Sequence, residues 1–264
     1  MKYSYFPGCT LKTKAKQLDA DTRACAKRLG VTLEELPDWQ CCGGVYNTAN
    51  DQIADKLSAV RALTAAYDAG QPIVTVCSAC HNVLKRTNAA MRTDSVFADR
   101  ANRYLAQGNP GYTPYHGEVQ IYHYLELLRD VVGWEGVRAA VKKPLAGRRI
   151  GAYYGCLLLR PSPVMAMDDP ENPNIIEDLI RALGAEPVRF AKRVECCGGY
   201  TALDDPDAAK RQSCAVTENA VSAGADLLVT ACPLCRYNLA KTASGLPVVY
   251  FTELLAQALG VCDG

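Results

Sequence analysis

The sequence predicts a protein of the α/β class, with two internally duplicated, Rossmann-like βαβαβ domains that contain parallel sheets. Two observations lead to this prediction. One cysteine pattern occurs in both halves of the chain, and short apolar segments alternate with helical segments in the same order around each copy. We expect the first domain to span residues 1–145 and the second to span residues 146–264, with the join near residues 142–147.

Ten of the 13 cysteines form the repeated pattern. Each copy contains a single cysteine, an adjacent pair followed by Gly-Gly, and a C-x-x-C. The pair and the C-x-x-C are separated by 34 residues in both copies, whereas 31 residues separate the single cysteine from the pair in the first copy and 39 in the second. The two copies consist of Cys9, Cys41, Cys42, Cys77 and Cys80, and of Cys156, Cys196, Cys197, Cys232 and Cys235. We interpret them as two copies of one soft-metal module.

The elements of the first half follow from the spacing of apolar residues and from glycines that end helices. Helices are predicted over residues 11–29 and about 51–69, and the first C-x-x-C opens another. An insertion relative to the second half spans about residues 92–117. The predicted strands are residues 2–6, 31–36, 73–76 and 119–122.

The second half repeats this order of elements. A strand from residue 149 leads to Cys156, helices cover residues 174–183 and 207–223, and the remaining extended segments are residues 186–194, 227–230 and 247–250. Each cysteine group therefore follows a strand. Because ligands bind beyond the C-terminal ends of parallel strands, we expect the three groups of each half to converge at one sheet edge. The helices that begin there would direct N–H groups towards an anionic, thiolate-rich site.

Composition restricts the classes of function. The 264 residues carry a net charge of +1, which gives no electrostatic signature of nucleic-acid binding. An odd number of cysteines and an N-terminus without a long apolar core argue against a secreted disulfide scaffold and favour a cytoplasmic protein with metal-bound thiolates. No stretch approaches about 18 consecutive apolar residues, so we expect no membrane span in this chain.

Five cysteines per module is an informative number. A structural zinc ion takes four tetrahedral ligands, and a conventional cubane cluster also takes four thiolates. Side chains of adjacent residues point to opposite faces of an extended backbone, but the Gly-Gly after each pair permits a tight turn that could direct both sulfurs inward. Ligation by more than four sulfurs favours an iron–sulfur cluster of unusual geometry.

The cysteine pattern, with Cys-Cys-Gly and C-x-x-C present in full in both halves, resembles that of the cysteine-rich CCG domain family, and in particular the B subunit of heterodisulfide reductase. The resemblance implies two non-cubane 4Fe-4S clusters, one on each set of five cysteines, that face each other across a disulfide of small thiols and reduce it by one electron each. It also implies two partners, a ferredoxin-like iron–sulfur subunit of the C type and a flavin-containing subunit of the A type.

His81, directly after the first C-x-x-C, and His123, after the last strand of the first half, are candidate proton donors for catalysis, with a structural role as the alternative for both. Cys25 and Cys214 lie in predicted helices and are expected to be structural thiols, and Cys262 is expected to be incidental. Dinucleotide and P-loop fingerprints are absent, so we expect no flavin or nicotinamide site in this chain.

The leading hypothesis is therefore the catalytic subunit of a heterodisulfide reductase-like complex. The first alternative is a CCG electron-transfer subunit of a succinate/fumarate, glycolate/lactate or sulfur-oxidising oxidoreductase, which would pass electrons to quinone or another acceptor. The second alternative is a zinc-stabilised assembly module without enzymatic activity. The iron content of the purified protein distinguishes this last alternative from the other two.

Overall fold

The computed structural model describes residues 2–44, 56–242 and 245–261. Strands β1 to β4 are Lys2–Phe6, Thr32–Glu35, Ile73–Thr75 and Ile121–His123. Strands β5 to β8 are Arg149–Tyr153, Glu186–Val188, Leu227–Thr230 and Val248–Tyr250. They form two sheets of four parallel strands, in the orders β2-β1-β3-β4 and β6-β5-β7-β8. The predicted α/β class with two parallel sheets is confirmed.

Helices connect the strands and cover the sheets. In the first half they are α1 Cys9–Thr13, α2 Lys16–Arg28, α3 Leu57–Asp68, α4 Ser78–Thr93, α5 Ser95–Ala106, α6 Tyr124–Leu127 and α7 Trp134–Ala140. In the second half they are α8 Ser162–Met165, α9 Ile175–Ala182, α10 Pro206–Ser222, α11 Pro233–Thr242 and α12 Phe251–Leu259. A π-helical turn occupies Leu128–Val132, and 3₁₀ turns occupy Ala191–Val194 and Thr201–Leu203.

The inner strands of both sheets are completely buried. Every residue of β3 and β7 is buried, as expected for strands that are covered by helices on both faces. In β5, Gly151 allows close packing, because a Cβ at this position would lie 3.0 Å from Leu228 Cδ1 and 3.3 Å from Ala225 Cβ. This close packing lies between β5 and β7, the strands that precede Cys156 and Cys232.

Several predicted boundaries differ from the structure. The helix predicted over residues 11–29 is interrupted before Lys16, because Ala15 has φ −127° and ψ 45° and the N–H groups of Lys14 and Ala15 both donate to Thr10 O. The extended segment predicted over residues 186–194 is a strand for only three residues and then a 3₁₀ turn. The second predicted helix begins at Leu57 in the structure, and residues 51–55 lie outside the described residues.

The insertion in the first half contains a helix that the sequence analysis did not assign. Asp94 ends α4 and begins α5, and its Oδ1 accepts a hydrogen bond of 3.0 Å from Phe97 N. An aspartate before Ser95 is a typical N-cap signal, and apolar residues follow it at helical spacing. Helix α5 packs against α3 and α4, and within the insertion Asn102 Nδ2 donates to Tyr115 O at 3.0 Å.

The two sheets share the largest hydrophobic cluster among the described residues, which combines Tyr5 and Val74 of the first half with Ile150 and Val229 of the second. Each half also has a smaller cluster of its own. Helix α12 packs against α2, and α7 packs against α9, so both halves contribute to the same interior. The segment that connects the two halves is hydrogen-bonded to the second half. Lys142 N and Lys143 N donate to Ala258 O, and Leu145 N donates to Leu183 O, each at 2.9 Å. The boundary between residues 145 and 146 stays a prediction.

Candidate metal centre

All ten pattern cysteines lie near the C-terminal edges of the sheets. Cys77 comes two residues after β3, and Cys232 comes two residues after β7. The single cysteines Cys9 and Cys156 each come three residues after the central strands β1 and β5. The adjacent pairs follow β2 and β6 at a greater distance, after short loop segments. The structure thus brings together the residues that the repeated pattern selected.

The sulfurs of the first module form two contacts. Cys41 Sγ lies 3.4 Å from Cys9 Sγ, and Cys42 Sγ lies 3.4 Å from Cys80 Sγ. A disulfide bond would bring the sulfurs to about 2 Å, so these are thiols in contact. The two members of the adjacent pair therefore reach different partners, one on α1 and the other on α4.

The second module repeats these contacts with equivalent residues. Cys197 Sγ lies 3.4 Å from Cys235 Sγ, as Cys42 does from Cys80. The thiols of Cys156 and Cys196 interact, which raises the pKa of Cys156 and lowers that of Cys196, and Gly198 N donates to Cys196 Sγ at 3.4 Å. Two sets of five thiols with the same internal arrangement support the interpretation of the sequence as one module present twice.

Glycines allow the backbone to approach the sulfurs. Gly43 and Gly198, which follow the adjacent pairs, have φ of 77° and 79°, a left-handed conformation that favours glycine. A Cβ on Gly198 would also lie 2.7 Å from Ala209 Cα. Before the single cysteines, a Cβ on Gly8 would lie 2.8 Å from Cys80 Sγ, and one on Gly155 would lie 3.2 Å from Cys235 Sγ. The predicted tight turn after each pair is present.

The two cysteine groups meet across the interface between the halves. Cys77 and Cys232 are both buried, and the interaction of their thiols raises the pKa of Cys77 and helps to lower the pKa of Cys232. Beside them, Ser78 donates to Ala231 O through its N–H at 3.3 Å and its hydroxyl at 2.7 Å. Tyr250 donates its hydroxyl to Val76 O and also lies 3.2 Å from Ala231 O. The carbonyl groups that precede the two C-x-x-C sequences are therefore held next to each other.

The close packing of thiols shifts their pKa values in opposite directions. The hydrogen bond from Cys41 lowers the pKa of Cys42 to about 3, and the same contact raises the pKa of Cys41. In the second module, the hydrogen bond from Cys156 lowers the pKa of Cys196 to about 2. Ionisation of one sulfur thus opposes ionisation of its neighbour, because like charges at this distance repel strongly. Five thiolates in one module need a cationic partner.

The donor set fits a soft, polynuclear metal group. Each module offers five sulfurs and no carboxylate among its pattern residues, and soft thiolates select zinc, copper(I) or iron–sulfur clusters. Cys77 is the N-cap of α4, a helix of 16 residues without an acidic residue in its first turn, so the helix dipole favours anionic sulfur there. Over residues 2–44, 56–242 and 245–261, no three cysteine, histidine or acidic side chains converge as ligands of a single metal ion.

His81 directly follows the first C-x-x-C in α4 and is fully buried. Its Nε2 lies 3.1 Å from Glu126 Oε2 in an ionic contact, and neither ring nitrogen has a partner in hydrogen-bond geometry among the described residues. Burial lowers the pKa of His81, although the Glu126 carboxylate acts in the opposite direction. In the second half, Arg236 takes the equivalent position and forms two hydrogen bonds of 2.9 Å with Glu253. A catalytic role for His81 stays a prediction.

His123 is also fully buried, and the backbone contacts both of its ring nitrogens. Nδ1 accepts from Leu125 N at 3.2 Å, so Nε2 carries the hydrogen and donates to Val76 O at 3.0 Å. Burial lowers the pKa of His123 to about 3. These contacts cap α6 and favour the structural alternative for this residue, and its role as a proton donor stays a prediction.

Two of the other three cysteines lie in helices of the described part of the chain. Cys25 is buried in α2, and its sulfur lies 3.9 Å from Thr252 O as a weak hydrogen-bond donor. Cys214 is a half-buried residue of α10, less enclosed than a core thiol. Cys262 lies outside the described residues.

Three residues of the site were not selected by sequence reasoning. Ser78 and Tyr250 make the contacts between the two halves described above, and Tyr200 lines a small cleft beside the second cysteine group. Tyr200 directly follows a Gly-Gly, and Ser78 lies inside a C-x-x-C, so position alone could have marked both. Their partners are more than 150 residues away in the chain, which no local pattern reveals.

The chain belongs to the CCG family, whose cysteine-rich domain matches residues 3–85 and 150–240. It is 32% identical, over 98% of its own length and 93% of the relative's, to the 8-methylmenaquinol:fumarate reductase membrane anchor subunit of Wolinella succinogenes. It is 27% identical, over 98% of its length and 89% of the relative's, to the B subunit of the ferredoxin/F420H2-dependent CoB-CoM heterodisulfide reductase of Methanosarcina acetivorans. The resemblance inferred from the cysteine pattern is thereby confirmed.

A solved structure supports the fold. A hypothetical protein from Helicobacter pylori superimposes with a TM-score of 0.74 at 13% identity, over 99% of this chain and 49% of that protein. At this level of identity the similarity concerns the fold alone. Among the described residues, no helix combines the length and the apolar character that a membrane crossing requires.

Proposed function

We propose that this chain is the iron–sulfur subunit of a heterodisulfide reductase-like complex, which reduces a disulfide of small thiols between two non-cubane 4Fe-4S clusters. The observation that carries the proposal is that two equivalent five-thiol groups adjoin each other, because Ser78 and Tyr250 hold together the carbonyl groups that precede Cys77 and Cys232. A substrate held between such groups could receive one electron from each side. The similarity to the B subunit of a heterodisulfide reductase over nearly the whole chain supports this assignment.

Each module would hold its cluster with its own five cysteines. The clusters supply one-electron transfer when bound. The cysteines that hold them are Cys9, Cys41, Cys42, Cys77 and Cys80 in the first module, and Cys156, Cys196, Cys197, Cys232 and Cys235 in the second. The glycines beside them keep the backbone close to the sulfurs, and the first turn of α4 favours negative charge at Cys77.

The reaction balances as one disulfide, two electrons and two protons giving two thiols. His81 is the proposed proton donor on the first side, because its Nδ1 contacts no polar group among the described residues and its Nε2 has only the ionic contact with Glu126. Because the pKa of His81 is lowered, the imidazole is neutral before the reaction and would be protonated only transiently. The electrons would come from a ferredoxin-like iron–sulfur partner of the C type, which is itself attached to a flavin-containing partner of the A type.

The first test is the metal content of the full chain after anaerobic purification. Two four-iron clusters predict about eight iron and eight sulfide per chain. About four iron would leave one module without a cluster and favour an electron-transfer role. Zinc without iron, after attempted reconstitution of the clusters, would contradict the proposal and favour the assembly module.

The second test separates ligand cysteines from the others. Replacing Cys41 or Cys196 with Ser should remove about half of the iron and abolish disulfide turnover, because each variant loses one ligand of one cluster. Cys25→Ala is the matched control, since this buried thiol lies in α2 and contacts Thr252 O instead of the cysteine groups. Full disulfide turnover in both ligand variants would contradict reduction between two clusters.

A second candidate function is electron transfer within an oxidoreductase that acts on a dicarboxylate or a hydroxy acid, with quinone or another acceptor. It is supported by the 32% identity to one component of a fumarate reductase. In that case the chain would contain clusters and exchange electrons with a partner, but it would reduce no disulfide by itself. Disulfide-dependent oxidation of reduced methyl viologen by the iron-loaded chain distinguishes the two functions.

A further inference from the structure

Helix α11 is the counterpart of α4 in the duplication, but fewer elements cover it. Each of the two helices begins directly after the first cysteine of its C-x-x-C. Helix α4 packs against α3, α5 and α8 and against strands β3 and β4, whereas α11 packs against α10, β7 and β8, the counterparts of α3, β3 and β4. Within residues 2–44, 56–242 and 245–261, no helix packs against α11 as α5 and α8 pack against α4.

A segment of the second half covers the outer face of α4. This segment, residues 157–167, belongs to the connection between the single cysteine and the pair, which has 39 residues in the second half and 31 in the first. Asn82 Nδ2 of α4 donates to Arg160 O at 2.7 Å. Lys85 of α4 donates to Met165 O. The longer connection therefore satisfies polar groups of α4 that would otherwise face solvent.

Tyr237 occupies the position in α11 that Asn82 occupies in α4, two residues after the C-x-x-C. Tyr237 is 56% exposed, whereas Asn82 is 3% exposed. Lys241 Nζ lies 4.1 Å from the centroid of the Tyr237 ring. The contact with Lys241 lowers the pKa of Tyr237, and the positive charge of Lys14 lowers it further. Lys14 directly follows α1 of the first half, so both halves contribute to this exposed face.

The segments that form this face are basic. Residues 10–16 and 233–242 contain five cations and no acidic residue. The cations are Lys12, Lys14, Lys16, Arg236 and Lys241. Lys12 and Arg236 are paired with glutamates, but the other three form no ion pair among the described residues. In a chain with a net charge of +1, this is a local excess of positive charge that a partner could compensate.

We propose that the α11 face, which consists of Lys14, Tyr237 and Lys241, binds an acidic protein that supplies electrons to the cysteine groups. This inference rests on the proposed function, because it locates the electron-donating partner of that function. Tyr237 lies two residues after Cys235, which is about 3 Å along the helix axis, so a protein bound here lies beside a cysteine of the second module. On α4 the equivalent place is taken by residues 157–167.

A protein fits the α11 face better than a membrane or a second copy of the chain. Polybasic segments that bind anionic lipids contain about 4–8 cations, whereas three uncompensated lysines occur here. A second copy, related by a two-fold axis, would place the same lysines against each other, and like charges repel. An acidic protein surface compensates the lysines and accelerates encounter, and the exposed Tyr237 ring can serve as its anchor.

The kinetic test uses an acidic, two-cluster bacterial ferredoxin as the electron donor to the iron-loaded full chain, followed by stopped-flow absorbance. The double variant Lys14→Glu/Lys241→Glu should lower the second-order rate constant on the order of 10-fold at low ionic strength, because the charges no longer attract the donor. High ionic strength should remove most of this difference, since salt screens exposed charges. Iron content should stay at the wild-type value, and a loss of iron would contradict a docking role.

The matched control is Lys27→Glu/Lys143→Glu, which changes the net charge by the same amount. Both lysines are exposed. Lys27 lies in the last turn of α2, before β2, and Lys143 precedes β5, so both belong to the opposite sheet edge from the cysteines. The rate constant of this variant should stay within about 2-fold of wild type. Equal losses in the two double variants would show attraction by net charge alone and would overturn the proposal.

The contribution of the ring is measured separately. Tyr237→Ala should weaken binding of the same ferredoxin on the order of 10-fold in isothermal titration, because exposed aromatic anchors carry much of the binding energy of protein interfaces. Tyr104→Ala is the control, since Tyr104 is 54% exposed on α5. This control should keep the wild-type affinity. Equal affinities of Tyr237→Ala and wild type would remove the ring from the proposed face.

Two other occupants are distinguished with the same variants. Sedimentation of wild type with phosphatidylglycerol vesicles that Lys14→Glu/Lys241→Glu alone abolishes would assign the face to an anionic membrane. Concentration-dependent dimerisation of wild type that Tyr237→Ala abolishes would assign it to a second copy of the chain. Either result would overturn the proposal, as would a wild-type chain that accepts no electrons from the ferredoxin.

Electron transfer from the ferredoxin requires no disulfide, so this inference and the proposed function can fail separately. If the chain accepts electrons at the α11 face but reduces no disulfide with methyl viologen, the proposed reaction fails and the docking face stands. If the chain reduces a disulfide while the charge reversal leaves the ferredoxin rate unchanged, the docking face fails and the reaction stands.

Discussion

At the scale of single residues, hydrogen bonds decide the chemistry of the buried histidines. His123 has the backbone on both sides of its ring, with Nδ1 as acceptor and Nε2 as donor, so the neutral form is the one that satisfies both contacts. His81 has a carboxylate on one side only. Residue type therefore identified two candidate proton donors, but their surroundings differ. Both ring nitrogens of His123 are hydrogen-bonded to the backbone, whereas Nδ1 of His81 has no partner among the described residues.

The first prediction follows from the lowered pKa of His123. The pKa in the folded chain is about 3, below the usual value of 6.5, so folding stability is fully present above pH 6.5 and is lost as pH falls from 6.5 towards 3. We expect the free energy of unfolding of the metal-free full chain to fall below pH 6.5 with a contribution from His123 of up to about 1.4 kcal/mol per pH unit. Denaturant titrations at pH 7 and pH 5.5 measure it.

The variant His123→Gln should reduce this pH dependence, because the unfolded chain no longer takes up the proton that the folded chain excludes. His116→Gln is the control, since His116 is the exposed histidine of the chain. An identical decrease between pH 7 and pH 5.5 in wild type and His123→Gln would contradict the assignment.

At the scale of elements, each cysteine pair is held between a tight turn and a helix. Ser58 on α3 donates to Cys41 O at 2.8 Å, and Ser213 on α10 donates to Cys197 O at 2.7 Å. The turn itself depends on the positive φ of Gly43 and Gly198. Equivalent helices and equivalent glycines thus hold both pairs, but the serine reaches the carbonyl of the first cysteine in one pair and of the second cysteine in the other.

The second prediction concerns this turn. Gly198→Ala should lower the free energy of unfolding and remove about half of the iron, because its Cβ would meet Ala209 Cα at 2.7 Å and displace the pair from the second module. Gly147→Ala is the control. Gly147 also has a positive φ, 78°, but a Cβ there meets nothing within 4 Å, so we expect a loss of about 1 kcal/mol and no loss of iron. Equal iron content in both variants would show that the turn does not position the ligands.

At the scale of the whole molecule, the duplication is nearly symmetric, and the departures from symmetry have physical causes. Ser78 N donates to Ala231 O across the interface, but Pro233 takes the equivalent place in the second half and has no N–H to return the bond. Val76 O instead accepts from His123 Nε2 and from the Tyr250 hydroxyl. Different side chains thereby satisfy the two carbonyl groups at the centre of the site.

The third prediction tests how the halves are joined. Tyr250→Phe should lower the free energy of unfolding by about 1 kcal/mol, because it removes a buried hydroxyl that bonds to carbonyl groups of both halves. Tyr124→Phe is the control, since the Tyr124 hydroxyl is buried without a hydrogen-bond partner among the described residues, and its removal should be neutral or stabilising. Denaturant unfolding measures both, and we expect one cooperative transition because the halves share a core. A destabilisation of Tyr124→Phe equal to that of Tyr250→Phe would contradict this account.

The sequence by itself determined the duplication, the order of strands and helices, and the ten cysteines that converge. These features are local: apolar spacing specifies an element, glycine ends it, and a cysteine at the end of a parallel strand must lie at the sheet edge. The elements that were missed or misplaced, such as α5 and the break before Lys16, depend on short capping contacts that the broader pattern conceals.

Only the tertiary structure decided how the two modules face each other. The contacts of Cys77 with Cys232, Ser78 with Ala231 and Tyr200 with Gly44 join residues 155, 153 and 156 positions apart. No periodicity or spacing encodes such a pairing, because it arises from the packing of two complete sheets around one core. The same packing decided which histidine keeps an open nitrogen and which phenol lies between the two cysteine groups.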